Sequence, residues 1–222
     1  MDLKEEIARQ VLLSDGRNAM TGNYTDIEGF PVFMNKGRPY AGLDPADSRL
    51  GKFDARSTVS GEEDYIWDVK ELDLQNKEEV NQLHLTNLAS DVKMYGPTGP
   101  IYVACSSRHY NAFEYAFEGD KVRQDSMAVR MGFERNMYIP RVGVTIYEEN
   151  FLKGDDEGTL YGWMPRHVHL VKNRSLDMAF SGVMVQIDRN RVLFRYKCML
   201  NLRCSWRAGN FRILNALPGD NF

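Results

Sequence analysis

The strongest pattern in this sequence is an alternation near its carboxyl end. There Val192, Phe194, Tyr196, Cys198, Leu200, Leu202, Cys204 and Trp206 interleave with Leu193, Arg195, Lys197, Met199, Asn201, Arg203 and Ser205. Successive side chains of a strand point to opposite faces, so a period of two with one apolar face predicts a strand buried on one side. Read as a single strand over residues 192–206 it would run roughly 50 Å at about 3.3 Å per residue, where about five or six residues is typical. Gly209 interrupts the pattern, and Phe211 and Ile213 resume it on odd numbers. That parity change predicts a bulge or turn into a last strand.

Elsewhere the period is helical. Residues 2–13 place Leu3, Ile7, Ala8, Val11 and Leu12 near one face, and Ser14-Asp15-Gly16 supplies a stop. Residues 17–63 are rich in Gly, Pro, Asn and Asp with brief apolar patches such as 30–34, and read as extended and irregular. A second helix is predicted over 76–93, with Asn76 as its cap, Glu79 three residues on, and Val80, Leu83, Leu88 and Val92 on a broad face up to Gly96-Pro97. Residues 101–105 form a short buried strand. Ser106-Ser107 then cap a third helix carrying Tyr110, Phe113 and Phe117, stopped at Gly119. After Pro140 the pattern turns β, with strands over 142–147, 159–163 and 167–171. Helices ahead of a β-rich end predict an α+β fold.

Composition adds little that is distinctive. The chain has 222 residues, 43% hydrophobic and 27% charged, enough to bury one large core or two small ones. No apolar run approaches about eighteen residues, and Glu5, Glu6 and Arg9 interrupt the start, so neither a membrane helix nor a secretory leader is expected. Cys105, Cys198 and Cys204 lack C-x-x-C spacing and read as buried thiols in a reducing compartment. A net charge of −3 provides no global field for nucleic acid, so any such contact needs a local cluster.

Candidate chemistry is sparse. His167-Val-His169 has the spacing of a two-histidine metal site, and Glu148 or Glu149 could supply a carboxylate. The competing reading is an idle surface pair, since no acidic residue follows in 170–174. Asp155-Asp156-Glu157-Gly158 lacks the alternating ligands and closing Glu of a calcium loop and reads as a solvated turn. Asp15-Gly16-Arg17 lacks a phosphate-loop pattern and reads as a helix stop. Cys105 lies close in sequence to His109, but a thiol ending an apolar strand should be buried and inert. Arg191, Arg195, Lys197, Arg203 and Arg207 form a basic row along the alternating segment. It suits a nucleic-acid contact or, more simply, a solvent- or subunit-facing strand edge.

The order of segments resembles the major capsid proteins of tailed bacteriophages, whose Hong Kong phage-type fold is shared with encapsulins. Ala8-Arg9-Gln10-Val11-Leu12-Leu13-Ser14-Asp15-Gly16-Arg17 is similar to the end of that family's spine helix and the turn after it. The helix over 76–93, the strand over 101–105 and Ser106-Ser107-Arg108-His109-Tyr110 resemble part of its axial region. Met131-Gly132-Phe133-Glu134 through Pro140 to Val142-Gly143-Val144-Thr145-Ile146 resembles the segment that re-enters the sheet. Gly158-Thr159-Leu160-Tyr161-Gly162-Trp163 with 167–171 resembles the next hairpin. Asp188-Arg189-Asn190-Arg191 with 192–206 and 210–214 is similar to the polymerising region's long strand and its return.

The resemblance implies an α+β capsid fold divided as follows: residues 1–20, spine end and turn; 21–75, an extended insertion; 76–140, axial helices and strand; 141–222, a β-rich return with the long strand 192–206. It implies a structural role and no catalysis. The chain would self-associate through pentamers and hexamers into an icosahedral shell around DNA, with other head proteins and non-specific contacts to packaged DNA as further partners. No cofactor and no membrane would be involved, and the chain would reside in the virion after assembly in the bacterial cytoplasm. The family's amino-terminal arm, extended hairpin loop and most of the spine helix have no counterpart ahead of residue 8, and residues 23–63 match no family segment. Taken alone, the chain is therefore expected to form monomers, small oligomers or weak rings of five or six, and not closed shells. The alternatives are a small metal-dependent β-rich enzyme using His167 and His169, or another phage head or tail structural protein.

Overall fold

The computed structural model describes residues 3–17, 24–47, 52–56, 63–65, 67–76, 78–94, 99–116, 135–174, 179–186, 191–197 and 199–217. Helix α1 (Leu3–Leu13) turns its apolar stripe inward through Leu12, and Ile7, Val11 and Leu13 pack beside it. It stops as its sequence predicts: the Ser14 N–H donates to the Gln10 carbonyl, Ser14 Oγ accepts the Gly16 N–H, and Gly16 takes φ +86°. Strand β1 (Asp15–Arg17) pairs antiparallel with β2 (Tyr24–Glu28). At Gly29 the chain passes so close to the end of α1 that a Cβ would lie 2.4 Å from the Gln10 carbonyl oxygen. A single helical turn, α2 (Phe30–Phe33), follows with Pro31 in its first turn, where a missing N–H does no harm. A further antiparallel pair joins β3 (Lys52–Arg56) and β4 (Glu63–Tyr65). The stretch expected to be irregular thus contains two short strand pairs and a buried helical turn. Strands this short and without alternation leave no periodic signal.

Strand β5 (Lys70–Asp73) leads into helix α3 (Gln82–Met94), which begins six residues later than Asn76. Gln75 and Asn76 take positive φ, so they form a turn and not a cap. The cap is Asn81, whose Oδ1 accepts the His84 N–H at 3.0 Å while its own N–H donates to His84 Nδ1 at 3.4 Å. This is a reciprocal capping box with histidine in the glutamate position. Strand β6 (Ile101–Cys105) and helix α4 (Ser107–Ala116) form as predicted, with Ser106 Oγ accepting the His109 N–H. Strand β7 (Asn136–Ile139) turns through Gly143, at φ +70°, into β8 (Val144–Glu148), and β9 (Leu160–Trp163) follows. Gly96-Pro97, Phe117, Gly119 and residues 131–134 lie outside the described residues.

The predicted 15-residue strand is two strands with different partners. β10 (Val168–Lys172) pairs with β13 (Leu200–Cys204), whereas β11 (Ala179–Gln186) pairs with β12 (Arg191–Lys197). Lys172 faces Leu200 while Ala179 faces Lys197, so one side has six residues between the two ladders and the other has two. A ladder cannot run unbroken across that mismatch, and the two pairs separate. The parity is still correct in β13: Leu202 and Cys204 are buried, while Asn201 and Arg203 are exposed. Cys198 lies outside the described residues. The 3-10 turn Arg207–Gly209 then resets the parity for β14 (Phe211–Leu214).

β14 closes a six-stranded sheet of order β5-β14-β9-β6-β8-β7, parallel at β5/β14 and β6/β8 and antiparallel elsewhere. β7 and β8 straddle residue 140 and are neighbours, so one sheet draws on both sides of that position. β6 is buried at every residue because both its faces are covered. Ile101, Val103 and Cys105 meet Leu85, Leu88, Val92 and Phe113 of the two helices. Tyr102 and Ala104 meet a second cluster of Phe30, Phe33, Tyr147, Tyr161 and Trp163. In that cluster the Phe30 ring lies 4.9 Å from Trp163 and 5.4 Å from Tyr161, distances at which aromatic pairs attract. Gly162 faces Phe211 across β9/β14, and a Cβ there would sit 2.2 Å from the Phe211 ring. The glycine makes room for the ring.

The second cluster is locked by Arg207, which is 0% exposed. Its Nε donates to the Phe33 carbonyl, Nη1 to the Arg38 carbonyl and Nη2 to the Asn35 carbonyl, each at 2.8 Å. Phe33 ends α2, where a helix leaves carbonyls without intrahelical partners, and the Asn35 carbonyl also accepts the Arg38 N–H at 3.2 Å. Asp68 grips the same loop from its other side, accepting the Gly37 N–H at 3.1 Å and the Val69 N–H at 2.9 Å, and lies 3.8 Å from Arg207 Nη2. Burial pushes the Asp68 carboxyl up and the Arg207 guanidinium down, and each charge offsets part of the other's shift. The clamp works through hydrogen bonds to backbone more than through a tight ion pair.

Arg207→Met removes all three bonds and the cation beside Asp68, which should destabilise the fold by about 3–5 kcal/mol in urea titration. Arg207→Lys should recover only part of this, because an ammonium cannot span three divergent carbonyls. A loss below about 1 kcal/mol for Arg207→Met would show that the clamp does not hold the cluster.

Candidate functional site

The histidine pair divides in the structure. His167 lies just ahead of β10, with Nδ1 3.2 Å from Ser205 Oγ and a buried Nε2 that has no hydrogen-bond partner. Burial holds its pKa down, and Arg166 and His169 add to this. His169 is exposed on β10 opposite Arg203. Of the carboxylates that could complete a metal site, Glu148 is paired with Arg135 at 2.8 Å, and Glu149 Oε1 accepts the Phe151 N–H. Among the described residues no three of His, Cys, Asp and Glu come together.

Cys105 and His109 have separate partners. The Cys105 thiol donates to the Tyr147 carbonyl, and burial pushes its pKa well above the ordinary thiol range. Such a thiol is a poor nucleophile. His109 instead sits with Nδ1 2.9 Å from Ser106 Oγ, both residues only 2% exposed. Burial holds its pKa down at about 4, and the backbone of Leu217 and Glu157 offsets part of that shift. His109 Nε2 has no well-formed hydrogen bond. A serine beside a histidine could suggest nucleophilic catalysis, but here the serine is a helix cap and neither group reaches solvent. The Asp155-Asp156-Glu157-Gly158 segment runs from the 3-10 turn Gly154–Asp156, with Asp156 exposed and Glu157 3.4 Å from Arg108.

What remains is a surface. β10 has no strand on its outer edge among the described residues. Its register places His169 and Val171 on one face with Arg203 and Asn201, and Met199 follows on that face through the Asn173 N–H to Met199 carbonyl bond. Val171 and Met199 are 46% and 57% exposed, and Leu170 is 49% exposed on the other face. The same ribbon is anchored through Val168, Leu200, Leu202 and Cys204 to the second cluster, and Glu28 of β2 meets Asn201. Arg207, counted in the basic row from sequence, is interior. Arg203 is exposed, and the side chains of Arg191, Arg195 and Lys197 lie outside the described ones. Sequence reading expected a solvent- or subunit-facing strand edge along the basic row but missed the exposed apolar residues of β10, although Val-His-Leu-Val-Lys, without a purely polar face, was a signal of them. No helix among the described residues is long and apolar enough to cross a membrane.

No protein-family model matches the chain, and no curated protein matches it in sequence. Among solved structures the chain is similar to one described as a virus-like particle from Pyrococcus furiosus, at 15% identity and a TM-score of 0.38. The match covers 65% of this chain and 56% of that one, so it spans little more than half the neighbour's length.

Two measurements check these assignments. A folded-state pKa of about 4 against an ordinary 6.5 means the fold favours neutral His109, so its contribution is complete above pH 6.5 and is lost as pH falls towards 4. The full loss is about 3 kcal/mol, and the stability of His109→Gln should fall less steeply between pH 7 and 4.5 than that of the unaltered protein; equal slopes would contradict the assignment. Replacing His167 and His169 together with Gln should change stability by less than about 0.5 kcal/mol. Chelator should not lower the melting temperature of either protein, whereas a chelator effect abolished by the substitutions would revive the metal site.

Proposed function

We propose that this chain is a structural subunit that builds a closed shell by repeated association with copies of itself. In its finer form the reading is a major capsid protein of the tailed-phage type, enclosing a DNA genome and assembling in the bacterial cytoplasm. It uses no catalytic step and no cofactor. The observation that carries the reading is the β10–β13 ribbon, which has no strand on its outer edge among the described residues and whose Leu170, Val171 and Met199 are about half exposed. Unpaired strand edges bearing apolar side chains favour association, and proteins that remain monomeric usually cover or blunt them. Two further points support it. The ordered segments noted in the sequence resemble that family, and Cys105, Ser106, His109 and Arg207 are engaged in packing and capping.

A shell subunit works by geometry. A patch that meets a different patch on the next copy generates rings where the rotation closes. Each contact can be weak, because many are made at once. Contacts burying less than roughly 1,000 Å² seldom hold a pair together alone, so a shell of weak contacts depends on their number.

Light scattering with electron microscopy across a concentration series tests this. Oligomers or rings should appear as concentration rises, and Leu170→Asp with Val171→Asp should abolish them without changing the melting temperature. A protein that stays monomeric at every concentration would overturn the reading.

A further inference from the structure

Charge is strongly segregated along this chain. Residues 158–176 and 189–219 together contain ten of the 28 Lys and Arg and none of the 31 Asp and Glu. These two stretches therefore carry +10, and the rest of the chain −13, within a net charge of only −3. Arg207 is buried and Arg212 pairs with Glu71, so both are engaged inside the fold. Of the other eight, Lys172 and Arg203 lie in the ribbon strands, Arg166 and Arg174 flank β10, Arg191, Arg195 and Lys197 lie in β12, and Arg189 lies outside the described residues. Among the described ones, Arg166, Lys172, Arg174 and Arg203 are all exposed, beside the exposed Leu170, Val171 and Met199.

The opposite combination stands at one end of the six-stranded sheet. The segment 215–217 gathers it: Asn215 Nδ2 donates to Asp73, the Ala216 N–H to the Gly158 carbonyl, and the Leu217 N–H to the Glu78 carbonyl. Asp73, Glu78, Glu79 and Asp156 are exposed around this segment. With them are Leu217, 36% exposed, and Leu83 at the start of α3, 64% exposed. Basic groups described nearby include Arg108, paired with Glu157, and His84, 3.6 Å from Glu78, and Lys77 lies outside the described residues.

Resting on the shell-building reading, we propose that the basic, apolar β10–β13 ribbon of one copy docks on the acidic, leucine-bearing end of the sheet in the next copy. Both surfaces have exposed apolar side chains ringed by charge, and the rings are of opposite sign. Complementary charge speeds encounter and fixes orientation, while the apolar centres provide contact area. The two patches are different parts of one surface, so the contact is head-to-tail and propagates or closes into a ring. It should also weaken as salt screens the charges.

The experiment reverses each surface in the full chain: Arg174→Glu with Arg203→Glu on the ribbon, and Glu78→Lys with Glu79→Lys on the sheet end. Melting temperatures verify that each variant folds. In sedimentation at low salt, each double variant alone should associate roughly tenfold or more weakly than the unaltered chain. A mixture of the two should recover association, since every ribbon then finds an oppositely charged sheet end. Oligomers that form equally well in all variants would overturn this contact while leaving shell building intact. Ribbon reversal that abolishes binding to a duplex oligonucleotide but leaves self-association unchanged would identify a nucleic-acid surface instead. Absence of association in the unaltered chain at every concentration would overturn both proposals.

Discussion

A buried arginine governs this structure. Phe33 at the end of α2 and Asn35 and Arg38 in the loop after it present their carbonyls to one guanidinium. Buried carbonyls without donors are costly, and a planar, forked guanidinium reaches three divergent ones at once. Arg207 does so from the far end of the chain, and Asp68 accepts the loop's Gly37 N–H from the other side. The aromatic cluster of Phe30, Phe33, Tyr40 and Trp163 depends on this closure, because α2 is a single turn with no stability of its own.

The sheet transmits that constraint. Its central strand β6 is covered by helices on one face and by the aromatic cluster on the other, so neither face can relax without exposing apolar surface. The same cluster receives Leu202 and Cys204, which makes it the anchor of the β10–β13 ribbon. The clamp on Arg207 therefore supports both the core and the surface on which the functional reading rests. Among the described residues nothing covers Leu170, Val171 and Met199, and the exposed Lys172, Arg174 and Arg203 stand beside them, as charges often do on strand edges.

The chemical groups that stand out in a list of residue types perform structural tasks here. Ser106 caps α4, His84 completes the cap of α3, and Cys105 fills the core. Histidine in a capping box is invisible to a pattern that looks for Glu or Gln at the third position, which is why α3 was expected at Asn76 and found at Gln82.

The sequence by itself determined the elements whose signal is local and periodic: α1 with its stop, the strand at 101–105, the Ser106 cap, the odd-parity last strand after Gly209 and the α+β class. Each depends on residues a few positions apart, where periodicity and capping operate. The segregation of charge into 158–176 and 189–219 was equally legible, since it requires only counting. Tertiary structure alone decided the rest. The alternation over 192–206 is the same whether it makes one strand or two, and pairing with strands of unequal intervening length broke it. Arg207 looked like another member of a basic row until residues about 170 positions away in sequence enclosed it. Which cations face solvent and which hold the interior is set by contacts between distant segments, and no local pattern encodes those.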